Sequence, residues 1–333
     1  METLGVTKVA GVGSYLPAQS VKSDDLMAEV NARRFGIEEN YMSSQIGIVE
    51  RRVAEIGSKP SDLATLASES ALNNSGVRAD EIDLLIFAGI TRDYDEPSTA
   101  HNVQKKLGAV NASCFDVSNA CLGFMTALSV ADAYIAGGMA DTILVCTGET
   151  SSQTMEEFLP LLKYTKDKNE FKAKLGVLTI GDAGGAMIIQ RDDSNEHGWN
   201  WKKIQSQGEH SELCYYTRGK TGVEGQMVMD RICAITIKRH MELFELTKKN
   251  LPWSVDEVDK IYCHQVGATP HKQLLSRTHL PIDKAPTSYQ YFGNLASATI
   301  PVLMQLDAPK RSEKIMFFCS GSGISVFQGG MKF

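Results

Sequence analysis

Apolar and polar positions alternate from Val6 to Val12 and break at Gly-Val-Gly-Ser-Tyr-Leu-Pro, which predicts a strand running into a turn. Ser23 stands at an N-cap position ahead of a helix over Asp24 to Arg34. Ser61 to Ser75 shows amphipathic helical spacing and closes at Gly76. An acidic turn, Glu81-Ile82-Asp83, then leads into the apolar run Leu84 to Gly89, and Pro97-Ser98-Thr99-Ala100 begins another helix. Ala112 to Val117 reads as a strand, followed by small residues and a helical run over Leu122 to Ala136. Further on come a buried strand over Ala140 to Gly148, a charged helical segment over Met155 to Lys174, and Gly181-Asp182-Ala183-Gly184-Gly185 as a turn feeding the strand Ala186 to Gln190. This alternation of helices with apolar strands predicts α/β architecture with largely buried sheets.

The second part repeats the theme. A helix over Arg231 to Asn250, a polar turn at residues 254–259 and a strand over Lys260 to His264 parallel the helix, acidic turn and strand at 61–89. The pattern implies two structurally similar halves, 1–190 and 191–333, and the lack of a Gly/Ser-rich linker implies that they pack as one body.

The 333 residues suffice for one large or two ordinary domains. A net charge of −6 argues against nucleic acid or an anionic membrane as the main partner. Seven cysteines, an odd number without a Cys-x-x-Cys pair, fit neither a disulfide framework nor a zinc site. Cys114, Cys146, Cys233, Cys263 and Cys319 lie in apolar runs, as reduced core thiols do. No secretory signal is evident at the N-terminus, and the apolar runs are too short to span a bilayer, so a soluble, cytoplasmic setting without metal or cofactor is expected.

Three points draw the candidate chemistry. Cys121 lies in Asp116 to Met125, DVSNACLGFM, where a strand meets a helix; a thiol in a helix's first turn tends to a lowered pKa and a larger thiolate fraction. His264-Gln265 ends the strand KIYCH, and Gly293-Asn294 precedes an apolar helix. Each is read as lying where a strand meets a turn or a helix, the places where open α/β sheets put ligand-binding groups. Taken singly, each has a plainer reading: free cysteine packs, histidine pairs within the structure, and Asn next to Gly makes turns. His101, His197, His210, His240, His271 and His279 lie in polar contexts and read as surface or structural residues.

In this order and spacing the three segments resemble the β-ketoacyl-ACP synthase III family of the thiolase-like superfamily. The likeness extends over nearly the whole chain. Ser44 to Ala54 (SQIGIVERRVA) is similar to the family's Thr-Gly-Ile-x-x-Arg-Arg stretch, and Pro97-Ser-Thr-Ala, Gly108, Gly181-Asp182 and CSGSGISVF also fit. The resemblance implies a thiolase-like fold, two similar halves in a five-layered αβαβα arrangement, and a homodimer. It implies Cys121 as the nucleophile that holds an acyl group, with the backbone N–H groups of Cys121 and Ser322 as the oxyanion hole. His264 and Asn294 then hydrogen-bond the carbonyl of a malonyl thioester as it loses CO₂ and attacks the acyl-cysteine. The implied partners are acyl-CoA with malonyl-CoA or malonyl-ACP, and an acyl carrier protein.

Two departures bear on the substrate. Glu96 stands before Pro97, where the family has an aromatic or apolar residue that enters the partner subunit's acyl pocket; in the olefin-biosynthesis branch, which joins two fatty acyl thioesters head to head, a Glu there is the base. The run after His264 reads His-Gln-Val-Gly-Ala-Thr-Pro-His-Lys in place of His-Gln-Ala-Asn-x-Arg, which points to a specialised enzyme of secondary metabolism or a side branch of fatty acid biosynthesis. Head-to-head condensation with Glu96 as base, or acyl transfer to an oxygen or nitrogen acceptor, are the alternatives to decarboxylative condensation. A non-catalytic partner subunit is a further reading, against which the presence of Cys121, His264 and Asn294 counts.

Overall fold

In the run Leu84 to Ala88, Leu84, Ile86 and Ala88 point to one face of a sheet and Leu85 and Phe87 to the other, and all five are buried. A strand buried on both faces needs a layer of helices on each side. The computed structural model, which describes residues 6–194, 196–220 and 222–333, supplies those layers twice.

The chain opens with β1 (Thr7–Tyr15), β2 (Gln19–Lys22), α1 (Ser23–Glu29) and β3 (Glu50–Val53). It continues through α2 (Pro60–Ser75), β4 (Leu84–Ala88), α3 (Thr99–Leu107), β5 (Ser113–Val117) and α4 (Gly123–Ala136). Next come β6 (Thr142–Glu149), α5 (Ser152–Tyr164), α6 (Lys168–Lys174) and β7 (Ala183–Arg191). The C-terminal part holds β8 (Gly198–Ser206), β9 (Cys214–Gly219), β10 (Gly222–Met227) and the long α7 (Met229–Asn250). It ends with β11 (Lys260–Cys263), α8 (Ala268–Thr278), α9 (Tyr289–Phe292), α10 (Thr299–Leu306), β12 (Lys314–Gly321) and β13 (Ser325–Lys332).

The first sheet runs β1-β7-β6-β4-β5 and the second β11-β12-β13-β8. Helices α2 and α3 bury Ala64, Ala67 and Val103 against the outer face of the first sheet. Helices α4 and α10 lie between the sheets, where Phe124 and Leu303 share one core with Ile86, Trp199 and Phe317. Helices α7 and α8 close the outer face of the second sheet through Phe244, Leu274 and Leu275. The five layers α-β-α-β-α are therefore those of a thiolase-like fold. A separate cluster around Phe158, Phe171 and Leu178 joins α1, α5, α6 and the β9–β10 ribbon into a cap. No helix among the described residues is long and apolar enough to cross a membrane.

The acidic turns mark equivalent places in the two sheets. Asp83 precedes β4, and its carboxylate accepts from the Asp141 and Thr142 N–H groups at 2.9 Å where β6 begins. Asp259 precedes β11, and its carboxylate accepts from the Lys314 N–H at 2.9 Å where β12 begins. In both, a short side chain closes the open end of a parallel strand pair.

Three local expectations are corrected. Ser23 is no N-cap: its hydroxyl donates to the Ile48 carbonyl and accepts from the buried Arg51 guanidinium, and helix α1 stops at Glu29. The segment Met155 to Lys174 is two helices, because the Asp167 carboxylate accepts from the Asn169 N–H at 2.7 Å and starts a new one. Gly184 and Gly185 lie inside β7, since a Cβ on Gly184 would stand 2.1 Å from the Leu63 carbonyl oxygen of α2.

Candidate active site

Strand β5 ends at Val117, and a single 3₁₀ turn, Ala120–Leu122, precedes α4. Ala120 is held at φ 46°, a left-handed conformation that costs energy for a residue with a Cβ. Its carbonyl accepts from Ser297 Oγ at 2.9 Å, so the turn is fixed from the other side of the molecule. The C-terminal turn presses on the same place: a Cβ on Gly321 would stand 2.9 Å from the Asn119 carbonyl oxygen. Cys121 thereby faces a cavity that His264, Asn294 and Ser322 also line.

The Cys121 thiol is not the low-pKa group that its position suggested. It sits in the 3₁₀ turn that abuts α4 rather than in that helix's own first turn. Burial pushes its pKa up, and Cys214 and Glu149 nearby push it the same way. In the free protein Cys121 is therefore a thiol.

Asn294 follows Gly293, whose φ of 72° and 2.6 Å Cβ distance to the Thr179 carbonyl oxygen leave room only for glycine. The Asn294 main chain donates to Thr179 at 2.8 Å and accepts from Gly181 at 3.0 Å. Its Oδ1 accepts from the Ala296 N–H at 3.0 Å, so the purely donating Nδ2 is the atom left for the cavity. Arg51 backs this loop: its guanidinium bonds the carbonyls of Val21 and Leu178, and its Cβ lies 3.1 Å from where a side chain on Gly293 would begin. Burial lowers the Arg51 pKa to about 10, which leaves it charged at neutral pH.

His264 follows β11 directly, and its N–H donates to the Phe318 carbonyl at 2.8 Å. Nδ1 lies 3.3 Å from Thr299 Oγ1, whose hydroxyl also reaches the Ala296 carbonyl at 3.0 Å. That hydroxyl has one proton: donated to Nδ1 it leaves Nε2 as the protonated donor, and donated to the Ala296 carbonyl it leaves Nε2 as an acceptor. Burial lowers the His264 pKa to about 4, so the ring is neutral at physiological pH. A neutral amide donor and a neutral imidazole thus sit beside the Cys121 sulfur in a mainly apolar cavity.

Cys121, Cys214, Met227, Asn294 and Ser322 also line a second, wider cleft of ≈ 990 Å³. Cys121 stands where the two spaces meet. The loop after β4 contributes Thr91, Asp93 and Tyr94 to the wide cleft. Glu96, on the same loop, is exposed and is not among the residues lining either space.

Glu149 escaped the sequence reading. It is fully buried at the end of β6 and accepts from the Ile90 N–H at 3.2 Å and the Ser297 N–H at 3.3 Å. It thus ties together the Glu96 loop and the Asn294 loop beside Cys121. Burial raises its pKa to about 7, against the opposing pull of these N–H donors. Its only signal in the sequence is a lone carboxylate closing the apolar run TILVCTG.

Of the histidines read as surface or structural, His240 is structural, buried with Nδ1 3.2 Å from Gln328 Nε2, and His271 is buried too. Cys233 is half-buried rather than a core thiol, and all three line the cavity that holds Cys121, because α7 and α8 turn these side chains inward. Among the described residues no group of three or more His, Cys, Asp or Glu side chains is placed to hold a metal ion.

The family model of 3-oxoacyl-acyl-carrier-protein (ACP) synthase III matches residues 115–208, and that of its C-terminal part matches residues 248–329. The β-ketoacyl-acyl-carrier-protein synthase III of Neisseria meningitidis serogroup A is 31% identical over 315 residues, covering 92% of this chain and 91% of the relative. Its counterpart from Xanthomonas oryzae pv. oryzae is 29% identical, covering 93% and 91%. Among solved structures, Xanthomonas campestris OleA carrying a Glu-to-Asp substitution superposes with a TM-score of 0.91 at 26% identity, covering 98% of this chain and 97% of that one. A Cys-to-Ser form of the same protein with bound lauric acid and lauroyl-CoA gives a TM-score of 0.89 at 25% identity, covering 98% and 99%.

Proposed function

Because the chain belongs to the 3-oxoacyl-ACP synthase III family and is an acyl-transferring condensing enzyme, we propose that Cys121 carries the acyl group and that His264 and Asn294 stabilise the attacking carbanion. The observation that carries this reading is the meeting of Cys121, His264 and Asn294 on the wall of one mainly apolar cavity.

In the first half-reaction the Cys121 sulfur attacks the thioester carbonyl carbon. The C–S bond to the carrier breaks, and the thiol proton leaves with the departing sulfur. The tetrahedral oxyanion accepts from the main-chain N–H groups of Cys121 and Ser322, whose turns are locked against each other at Gly321. A thiol whose pKa is raised needs this proton to move as the carrier departs, which couples acylation to a bound thioester and protects the resting sulfur.

In the second half-reaction a malonyl thioester, on CoA or acyl carrier protein, loses CO₂. The electron pair left on Cα is held as an enolate whose oxygen accepts from His264 and Asn294. It then attacks the acyl-cysteine carbon, the C–S bond to Cys121 breaks, and a β-ketoacyl thioester leaves. Decarboxylation generates the carbanion without a base, which suits a cavity whose lining includes three neutral histidines, His240, His264 and His271, and no carboxylate.

A second reading, head-to-head condensation of two fatty acyl-CoAs, is favoured by the likeness to OleA and by the second space at Cys121. It requires a carboxylate to take the Cα proton. Glu96 faces solvent in the single chain, so this role falls to it only across a homodimer. Intact-mass spectrometry after incubation with a panel of acyl-CoAs, with and without malonyl-CoA, separates the two. An acyl adduct on Cys121 discharged only by malonyl-CoA supports the first reading; discharge by a second acyl-CoA, lost in Glu96→Ala, supports the other. No adduct on Cys121 with any donor refutes both.

A further inference from the structure

Helices α7 and α8 enclose one end of the cavity that holds Cys121. Ile232, Thr236 and Ile237 line it from α7, and Pro270, His271 and Leu274 from α8. His271 is 3% exposed, and neither ring nitrogen has a hydrogen-bond partner among the described residues. The Ala285 main chain favours a proton on the ring but lies outside bonding geometry. The Tyr289 ring, its centroid 6.1 Å away, offers an aromatic face rather than an acceptor for a full hydrogen bond. Buried polar side chains in folded proteins are almost always paired, so two orphaned nitrogens on a residue that lines the cavity mark a place where a ligand entering between α7 and α8 completes the pairing as the ring turns toward it.

We propose that His271 determines substrate specificity by binding a neutral polar group, an amide or a hydroxyl, on the thioester that occupies the space between α7 and α8. The inference rests on the acyl-enzyme reading of Cys121. A neutral imidazole offers one donor and one acceptor, which is the pairing that an amide or a hydroxyl completes. Burial lowers the His271 pKa to about 4, so the ring itself brings no positive charge to pair with a carboxylate. Ile232, Ile237, Pro270 and Leu274 leave a plain alkyl chain well accommodated yet the imidazole unpaired. The polar group has two sources: the amides of the pantetheine arm, or an oxygen function on the acyl chain.

The test measures the rate of Cys121 acylation for four donors: the p-nitrophenyl esters and the CoA thioesters of one plain and one hydroxylated fatty acid. Wild type is compared with His271→Leu, which removes both hydrogen-bonding atoms, and His271→Gln, which retains a donor and an acceptor. His271→Leu is expected to slow acylation by donors bearing the recognised group about tenfold, and His271→Gln to recover most of it. Loss confined to the hydroxylated acid, in both ester series, places the group on the acyl chain. Loss confined to the CoA series, for both acids, places it on the pantetheine arm. Equal rates for His271→Leu and wild type, or an equal loss on all four donors, overturns the inference while leaving the acyl-enzyme reading intact. An unlabelled Cys121 in the wild type overturns that reading and this inference together. Should His271→Leu not fold, His271→Phe, which keeps a ring against Tyr289, replaces it.

Discussion

Ser297 donates its hydroxyl to the Ala120 carbonyl oxygen at 2.9 Å, joining residues 177 positions apart in the chain. The bond pins the left-handed residue that aims Cys121 at the cavity. Ser297→Ala removes one neutral hydrogen bond, about 1 kcal/mol, from that turn. Acylation of Cys121, followed by the time course of intact mass, is expected to slow roughly fivefold with the same acyl-CoA preference. An unchanged rate would show that α4 and Gly321 hold the turn without it.

Asn294 and His264 are assigned to the second half-reaction. Asn294→Ala and His264→Ala are each expected to lower condensation by about 10²–10³ while Cys121 still takes up its acyl group. Rapid-quench mass spectrometry should then find the acyl-enzyme accumulating. Loss of acylation itself in either variant would move that residue to the first step.

Glu149 carries a pH signature. Its pKa is raised to about 7 in the folded protein from an ordinary value of 4.5. Between those values the folded state holds a proton that the unfolded state has released, so this group's contribution is full below 4.5 and is lost as pH rises through 7. Each pKa unit is about 1.4 kcal/mol, which puts the loss on the order of 3 kcal/mol. Relative to wild type, Glu149→Gln should therefore gain stability as pH rises from about 5 to 8, read from the difference between paired thermal melts. A difference that does not change with pH would show that Glu149 titrates normally.

The buried histidines act in the opposite direction. His264 and His271 have pKa values lowered to about 4 and His240 to about 3, so each stays neutral in the fold where the unfolded chain would take up a proton below 6.5. Stability is expected to fall on acidification from about 6.5 to 4, more steeply than in His240→Leu, which leaves two such groups. Denaturant unfolding at pH 7 and pH 5 checks the difference.

Gly184 tests the layering. A Cβ there would stand 2.1 Å from the Leu63 carbonyl oxygen, a main-chain atom that moves only with α2. Gly184→Ala is expected to cost about 3 kcal/mol or more, lowering the midpoint of thermal unfolding by about 4 °C or more. A variant as stable as wild type would mean that α2 shifts freely over β7.

Much of this was legible in the sequence because it is local. Period-two and period-3.6 patterns are set by neighbours in the chain, and they placed β4, α2, α4 and β11 close to their observed bounds. The segments bearing Cys121, His264 and Asn294 were legible for a similar reason: each is a short run at the end of an element, strands β5 and β11 and helix α9, with glycines where the backbone must turn or pass closely. Tertiary structure decided the rest. It set the state of the Cys121 thiol, because burial and the Glu149 carboxylate outweigh the helix end that the sequence suggested. It turned His271 inward on α8 and brought Glu149 between loops that lie 59 and 148 residues away in the chain. Solvent exclusion and charge proximity depend on which layers pack together, and no window of sequence contains that information.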